Sequence, residues 1–155
     1  PVGPASLTSV VLKGKNGPVT EQILLQDRMP IDVADHALSL TDSTTKKTVG
    51  FVEYSVKGNK LQIEDMVITK PDRGIGYSDF IYDTLLKRYP NISTITSTMS
   101  GTNGRLLEKR IASGMSPETA IINTPAYNSR MRQGFSKMKL VKDKRGQYTL
   151  EAERP

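Results

Sequence analysis

Cysteine is absent from this 155-residue sequence, and histidine occurs once, as His36. Without thiols the chain forms no disulfide, carries no thiol nucleophile and offers no thiolate ligand to a metal ion. A lone histidine also argues against zinc, which normally needs several His or Cys ligands, so we predict no metal site. His36 lies in an alternating stretch typical of a strand. Any chemistry must therefore come from carboxylates, Tyr, Ser, Lys and backbone amides.

Aromatic residues and long apolar runs are scarce as well. Trp is absent and only three Phe occur, so we predict an aliphatic core. No run of about 18 apolar residues is present, which predicts no membrane span. No secretory signal with its apolar segment is visible, so we expect a soluble protein in the cytoplasm, or one delivered to a host or target cytosol. The start at Pro1 rather than Met favours a processed product or a piece of a longer protein.

Positive charge exceeds negative charge, with 22 Lys and Arg residues against 16 Asp and Glu residues and a formal net charge of +6. This balance favours an acidic partner such as nucleic acid, an anionic surface or a phosphate-bearing cofactor. A moderately basic surface that keeps the domain soluble is the alternative, and we rank it first. Lysines are concentrated over residues 137–145, which fits nucleic-acid binding, but lysines on a sheet edge also prevent aggregation.

The hydrophobic pattern predicts one domain of strands and helices. Residues 1–30 form an N-terminal arm or extra strands, and residues 31–155 form the main domain. Strands are predicted over residues 7–12, 19–25, 38–40, 48–56, 61–68, 92–99, 137–142 and 147–152. Helices are predicted over residues 77–89, 106–112 and 126–133. Ser116-Pro117 marks the start of a further helix, and Thr124-Pro125 marks the start of the helix over residues 126–133.

Residues 61–89 have the pattern of a strand, a tight turn and a helix. An apolar run ending at Ile68 is long enough for a buried strand. Pro71, Gly74 and Gly76 then break the run. From Tyr77 onward apolar residues repeat every four positions, which predicts an amphipathic helix that Pro90 ends. Because the first amides of a helix lack internal partners and lie at the positive end of its dipole, such a turn can bind a phosphate.

The string Arg73-x-x-Gly76-x-Ser78 resembles the acyl-CoA-binding signature of the GNAT superfamily of N-acyltransferases. That signature is Arg or Gln, two residues, Gly, one residue, then Gly or Ala, between a strand and a helix. Ser78 departs from it. Glycine-rich turns between strands and helices also arise for steric reasons alone, so the string leaves both interpretations open.

A second block strengthens the resemblance. The family has an Asn, an Ala three residues later, a Tyr on the same helix face and a final Gly-Phe, and here Asn123, Ala126 and Gly134-Phe135 have that spacing. The family's Tyr falls at Arg130, and Tyr127, one turn earlier, could substitute for it. Asn103, Leu106 and Gly114-Met115 fit the same spacing almost as well, so the register of this block stays open.

The resemblance implies a GNAT-like α/β (α+β) fold: a mixed, mostly antiparallel central sheet flanked by helices, with a C-terminal β-hairpin. It implies an acyl-CoA donor, most simply acetyl-CoA, and direct transfer to an amine on a protein, a small molecule or RNA. Backbone groups at Val67 and Ile68 would bind the pantetheine arm, and Asn123 would add to cofactor binding. The amides of Gly74, Gly76 and Ser78 would hold the pyrophosphate, with Arg73 adding charge.

Three residues are assigned to the chemistry. In the mechanism that the resemblance implies, Glu64 is the candidate general base, which takes a proton from the amine directly or through water. Under the same resemblance Tyr127 would be the general acid, or Arg130 would stabilise the leaving thiolate by its charge.

Two other classes of function remain open. The family usually has two helices between its first strands, which form a wall of the acceptor site, and none is predicted before Thr48. That absence, with the replaced Tyr, favours a non-catalytic GNAT-like interaction module of a larger secreted effector or toxin. The third class is a basic nucleic-acid-binding domain, although few aromatic residues are available for base stacking.

Overall fold

The computed structural model describes residues 5–31 and 33–155, so positions 1–4 of the predicted arm lie outside it. By its internal contacts the chain divides into two compact units. One holds the chain up to Ser55 together with Ile63–Pro90, and the other holds Val56–Gln62 and Asn91–Pro155.

The first unit is a set of antiparallel strands with one helix. Its sheet order is β1-β2-β3-β4-β5, and β1 to β4 pair as successive antiparallel neighbours. The strands are β1 (Ala5–Gly14), β2 (Gly17–Arg28), β3 (His36–Asp42), β4 (Thr48–Lys57) and β5 (Lys60–Ile68), and the helix is α1 (Tyr77–Arg88). The end of β4, the turn that follows it and the start of β5, Val56–Gln62, are counted with the second unit.

The second unit combines a small sheet with three helices. Its strands lie in the order β6-β8-β7, with both pairs antiparallel. The elements are β6 (Thr94–Thr98), α2 (Gly101–Ala112), α3 (Pro117–Ala120), α4 (Pro125–Arg132), β7 (Lys137–Lys142) and β8 (Tyr148–Glu153). Their apolar core is formed by Met99, Leu107, Ala120, Ile121 and Leu150.

These elements confirm the predicted α/β fold with a mostly antiparallel sheet and a C-terminal β-hairpin. Both predicted helix starts are also confirmed. The Ser116 hydroxyl accepts a hydrogen bond from the Thr119 amide, and the Thr124 hydroxyl accepts one from the Tyr127 amide. Division into residues 1–30 and 31–155 stays a prediction, although two strands do occupy the first segment.

Two expectations about burial were wrong. The core is not purely aliphatic, because Tyr54, Tyr77, Tyr82 and Phe135 are all buried. The strand β5 is buried only in its first half, and Val67 near its end is 46% exposed. An apolar run marks a strand, but which of its residues are covered depends on what packs against each one.

Candidate functional site

The turn after β5 depends on glycine backbone geometry. Gly74 has φ 77° and Gly76 has φ 120°, in the left-handed region that residues with a Cβ rarely adopt. Before them, a short 3₁₀ turn over Lys70–Asp72 is closed by the Asp72 amide, which donates to the Thr69 carbonyl at 2.9 Å. Both glycines are therefore required by the shape of the turn, whatever it binds.

Helix α1 begins without a side-chain cap. Gly76 is its N-cap residue and has no side chain to accept from the first-turn amides, and no side-chain cap bond is formed. Ser78, at the second helical position, is half-buried. Uncapped amides at the positive end of a helix are an arrangement that a bound anion would complete.

Charges around this turn have both signs. Arg73 is exposed and donates from Nε to the Ile68 carbonyl at 2.9 Å. Asp79 lies in the first turn of α1. Burial, together with the nearby carboxylates Asp72, Glu21 and Asp42, raises the pKa of Tyr77 to about 12. A phosphate bound here would gain from the amides and Arg73 but would be repelled by these carboxylates.

The end of β5 carries the residues assigned to the base and to the pantetheine arm. Glu64 and Asp65 are both exposed. On the β4 side the strand end is fixed, since the Thr69 amide donates to the Val49 carbonyl at 2.9 Å. The Ile68 carbonyl, assigned to the pantetheine arm, already accepts the bond from Arg73. In this structure that carbonyl therefore helps to hold the turn.

In the second unit the two possible registers of the asparagine block are physically linked. Asn123 is exposed and has φ 64°, a conformation that Asn tolerates better than most residues. Asn103 is half-buried, and its Oδ1 accepts a bond from the Ala126 amide at 2.9 Å. Asn103, the asparagine of the alternative register, thus supports the first turn of α4, the helix that follows Asn123. The sequence offered no local signal for this contact, because Asn103 and Ala126 are far apart along the chain.

Tyr127 and Arg130 occupy different environments on α4. Tyr127 is half-buried and packs against the apolar core of the second unit. Arg130 is only 1% exposed, and it donates to Gln133 Oε1 and Ser129 Oγ, both at 2.8 Å. In the alternative register the family's Tyr falls at Arg110, which donates to the carbonyls of Ala120 and Ile122 at 2.9 and 2.7 Å. Both arginines therefore hold the local structure together.

The predicted site residues fall into two groups. Those in the first unit follow one another along a single strand, turn and helix: Glu64, Val67, Ile68, Arg73, Gly74, Gly76 and Ser78. Those in the second unit lie at and on α4: Asn123, Tyr127 and Arg130.

An aromatic cluster in the first unit was not predicted. The His36 ring stacks on Tyr54 with ring centroids 5.2 Å apart, and the hydroxyls of Tyr54 and Tyr89 lie 3.3 Å apart. Burial raises the pKa of Tyr54 well above its usual value. His36 and Tyr54 face each other through the register of β3 with β4, which a single sequence does not reveal.

The lysine-rich hairpin is exposed but partly neutralised. Lys139 and Lys60 both lie near the Glu151 carboxylate, at 3.9 and 4.0 Å. Lys142 lies over the Tyr148 ring. These contacts fit the role of lysines that protect a sheet edge. Elsewhere, within residues 5–31 and 33–155, no helix is long and apolar enough to span a membrane, and no group of three potential metal-binding side chains is present.

The solved structure of nourseothricin acetyltransferase is similar to this chain over 99% of its residues and 85% of that protein, with a TM-score of 0.50 and 16% sequence identity. The chain has a GNAT-like fold. At this identity the likeness concerns the fold alone. It confirms what the Arg73 and Gly76 spacing implied for the architecture, and it leaves the substrate to be proposed.

Other acyltransferase structures are similar at lower TM-scores. A cAMP-binding acyltransferase from Mycobacterium smegmatis is 10% identical, with a TM-score of 0.48, and the match covers 96% of this chain and 48% of that one. The spermidine/spermine N-acetyltransferase SpeG from Vibrio cholerae is 13% identical, with a TM-score of 0.41, over 79% of this chain and 67% of that one. No protein-family profile matches the sequence, and no curated protein matches it.

Proposed function

We propose that this protein is an acyl-CoA-dependent N-acyltransferase that transfers an acetyl group to an amine by direct attack. The observation that supports this most strongly is the uncapped start of α1 after the turn that contains Gly74 and Gly76, within a GNAT-like fold. In the proposed complex the backbone amides of the turn approach the pyrophosphate, because Gly74 and Gly76 carry no side chain that would hold it away.

The proposed roles follow the chain. The amides of Gly74, Gly76 and Ser78 hold the pyrophosphate, and the exposed Arg73 adds positive charge. Backbone groups at Val67 and Ile68 bind the pantetheine arm, which requires Arg73 to share or release the Ile68 carbonyl. Glu64 takes the proton from the attacking amine, whether the amine belongs to a protein, a small molecule or RNA.

Two residues are candidates for assisting the departure of the CoA thiolate. Tyr127 is only half-buried and can donate a proton, whereas Arg130 is buried and its guanidinium already donates to Gln133 and Ser129. Because a CoA thiol has a pKa of about 8.5, the thiolate can leave with modest assistance. We therefore favour Tyr127 as the acid and keep Arg130 as the alternative. Asn123 completes the proposed cofactor site.

Isothermal titration calorimetry with acetyl-CoA and with CoA tests the proposal. Ser78→Asp is the informative variant, since a carboxylate in the first turn suits the helix dipole but repels a bound pyrophosphate. We expect Ser78→Asp to weaken CoA binding about tenfold or more, while Ser78→Ala, the matched control, binds as the wild type does. Wild-type protein that binds neither acetyl-CoA nor CoA would contradict the proposal.

A non-catalytic GNAT-like module is the second candidate, and one observation favours it. In the described chain no helix precedes Lys70, so β1 and β2 follow one another directly where the family has helices that wall the acceptor site. A turnover assay with acetyl-CoA and a panel of amines separates the two candidates. CoA binding without transfer to any amine favours the interaction module.

A further inference from the structure

Strand β1 is an edge strand whose open side is bonded to another segment, among the described residues, only at Lys13. It lies at the end of the sheet order in the first unit, and in the described part of the chain it pairs with β2 alone. Natural edge strands are commonly short, charged, bulged or covered. β1 is ten residues long, its register with β2 is regular, and Lys13 is its only charged residue. By contrast, β7 at the edge of the other unit has six residues, three of them lysines.

The free backbone groups of β1 are arranged symmetrically. The Lys13 amide donates to the Ile75 carbonyl at 2.9 Å, so it points away from β2. Since alternate residues of an antiparallel strand direct their backbone groups to the same side, Leu7, Ser9 and Val11 also face the open edge. These three residues are centred on Ser9, so the edge can pair with a copy of itself over Leu7 to Val11, while the Lys13 amide stays bonded to the Ile75 carbonyl.

We propose that the β1 edge is a homodimer interface in which two copies of β1 pair antiparallel about a twofold axis at Ser9. In this register Ser9 opposes the partner's Ser9, and Leu7 opposes the partner's Val11. Leu7 and Val11 are 61% and 68% exposed in the single chain. The two cross-strand pairs cover these otherwise unexplained apolar side chains.

Helix α1 runs beside the same edge, antiparallel to β1. Its start is near Leu12, whose Cδ2 lies 3.7 Å from the position of a Cβ on Gly76. Near the end of α1, Arg88 donates to Asp27 at 2.8 Å. Asp27 lies on β2 directly after Gln26, which pairs with Ala5 at the start of β1. The middle of α1 is therefore level with the middle of β1. A groove of about 660 Å³ separates the two elements.

Charges along this groove are complementary under the same twofold axis. Asp79, Asp83 and Lys87 line it, four residues apart and so on one face of α1. The twofold axis places Asp79 opposite the partner's Lys87, and Lys87 opposite the partner's Asp79. Asp83 would then face its own copy, which opposes pairing. Burial and Asp79 already raise the pKa of Asp83, while Lys87 lowers it.

A single-cysteine crosslink tests the register directly, because the chain has no cysteine of its own. In the proposed dimer of Ser9→Cys the Cα atoms of the two cysteines would lie about 5.5 Å apart, within the range of a disulfide. Thr20→Cys is the matched control: Thr20 is exposed, pairs with Val11 on β2 and lies one strand away from the edge. We expect mild oxidation to give a covalent dimer with Ser9→Cys and none with Thr20→Cys. Equal crosslinking of the two variants overturns the proposal.

Sedimentation analysis of the full chain tests the interface without a covalent crosslink. Val11→Lys should weaken dimerisation about tenfold or more, because it removes both Leu7–Val11 pairs and adds charge to the edge. Thr20→Lys, the control on the neighbouring strand, should stay dimeric, and Asp83→Asn should tighten the dimer. Circular dichroism and melting temperature establish that Val11→Lys still folds. A monomeric wild type, or a Val11→Lys variant that stays dimeric, overturns the proposal. If the wild type is a monomer, the remaining candidate to pair with the β1 edge is an extended peptide of another protein. Neither result depends on acyltransferase activity.

Discussion

Arg73 donates from Nε to the Ile68 carbonyl at 2.9 Å and so ties the turn before α1 to the end of β5. The terminal nitrogens Nη1 and Nη2 have no partner in the part of the chain that the structure describes, which leaves the fork of the guanidinium available to a phosphate. One side chain can thus shape the turn and supply its positive charge.

Arg73→Ala should weaken CoA binding about tenfold, the effect of losing one charge-assisted hydrogen bond to a phosphate. The variant also loses the exposed bond to the Ile68 carbonyl, which is worth about 1 kcal/mol, so the melting temperature should fall by only a few degrees. Arg105→Ala is the control, since Arg105 is also exposed and bonds only to Thr102 among the described residues, at 3.3 Å. Calorimetry with CoA measures the effect. Equal affinity in the wild type and Arg73→Ala would show that Arg73 serves the turn alone.

Gly76→Ala should destabilise the fold by about 1–2 kcal/mol, because the residue must keep a left-handed backbone at φ 120°. Space is not the reason, since a Cβ there meets Leu12 Cδ2 only at 3.7 Å. Urea denaturation measures the loss, with Ser78→Ala as the nearby control. Unchanged stability of Gly76→Ala would mean that the turn relaxes around the new side chain. For the same reason any Gly76 variant mixes strain with binding, and Ser78→Asp tests the phosphate site more cleanly.

Local signals in the sequence predicted most of the fold. Thr124 before Pro125 predicted a helix start, and the Thr124 hydroxyl does cap the Tyr127 amide. Such caps depend on neighbours three residues apart, so one sequence contains them. The burial of Tyr54 and the exposure of Val67 depend on which strand or helix covers each residue. Those partners are distant along the chain, and hydrophobic periodicity does not identify them.

The candidate site was predictable only in its chain-local part. The glycine-containing turn and its position between β5 and α1 follow from residues close together in sequence. The Asn103 bond to the Ala126 amide and the burial of Arg130 follow from how α2, α3 and α4 pack, which the spacing of the asparagine block does not reveal. The resemblance placed Arg130 at a catalytic position, while the structure places its side chain among Ser129 and Gln133.

Glu64→Gln should lower turnover on the order of a hundredfold if Glu64 is the general base, with CoA affinity unchanged. The amide keeps the size of the side chain but cannot accept the proton from the amine at neutral pH. Asp65→Asn is the matched control, because Asp65 is the next residue, is also exposed and points to the opposite face of β5. Turnover of acetyl-CoA is measured for both. A loss of the same size in Asp65→Asn would indicate a general effect of charge rather than a base.

Tyr127→Phe should lower turnover on the order of a hundredfold if Tyr127 is the general acid, the usual scale for a positioned proton donor. The ring keeps its packing against the apolar core, so the melting temperature and CoA affinity should not change. The loss should shrink with acyl donors whose thiol is more acidic, because such thiolates leave without help. Full activity of Tyr127→Phe with acetyl-CoA rules out this role.

Arg130→Ala should lower the free energy of unfolding by on the order of 3 kcal/mol. The variant leaves a cavity and removes the hydrogen bonds that Arg130 donates to Ser129 Oγ and Gln133 Oε1. Activity measured on this variant alone therefore reports stability as well as chemistry. Arg130→Lys keeps the charge but not the fork, and the two effects can be separated by assaying both variants well below their melting temperatures. If Arg130 stabilises the thiolate, Arg130→Lys should retain most of the turnover and Arg130→Ala little. If Arg130 only supports α4, turnover should follow the folded fraction in both, as measured by circular dichroism in the same buffer.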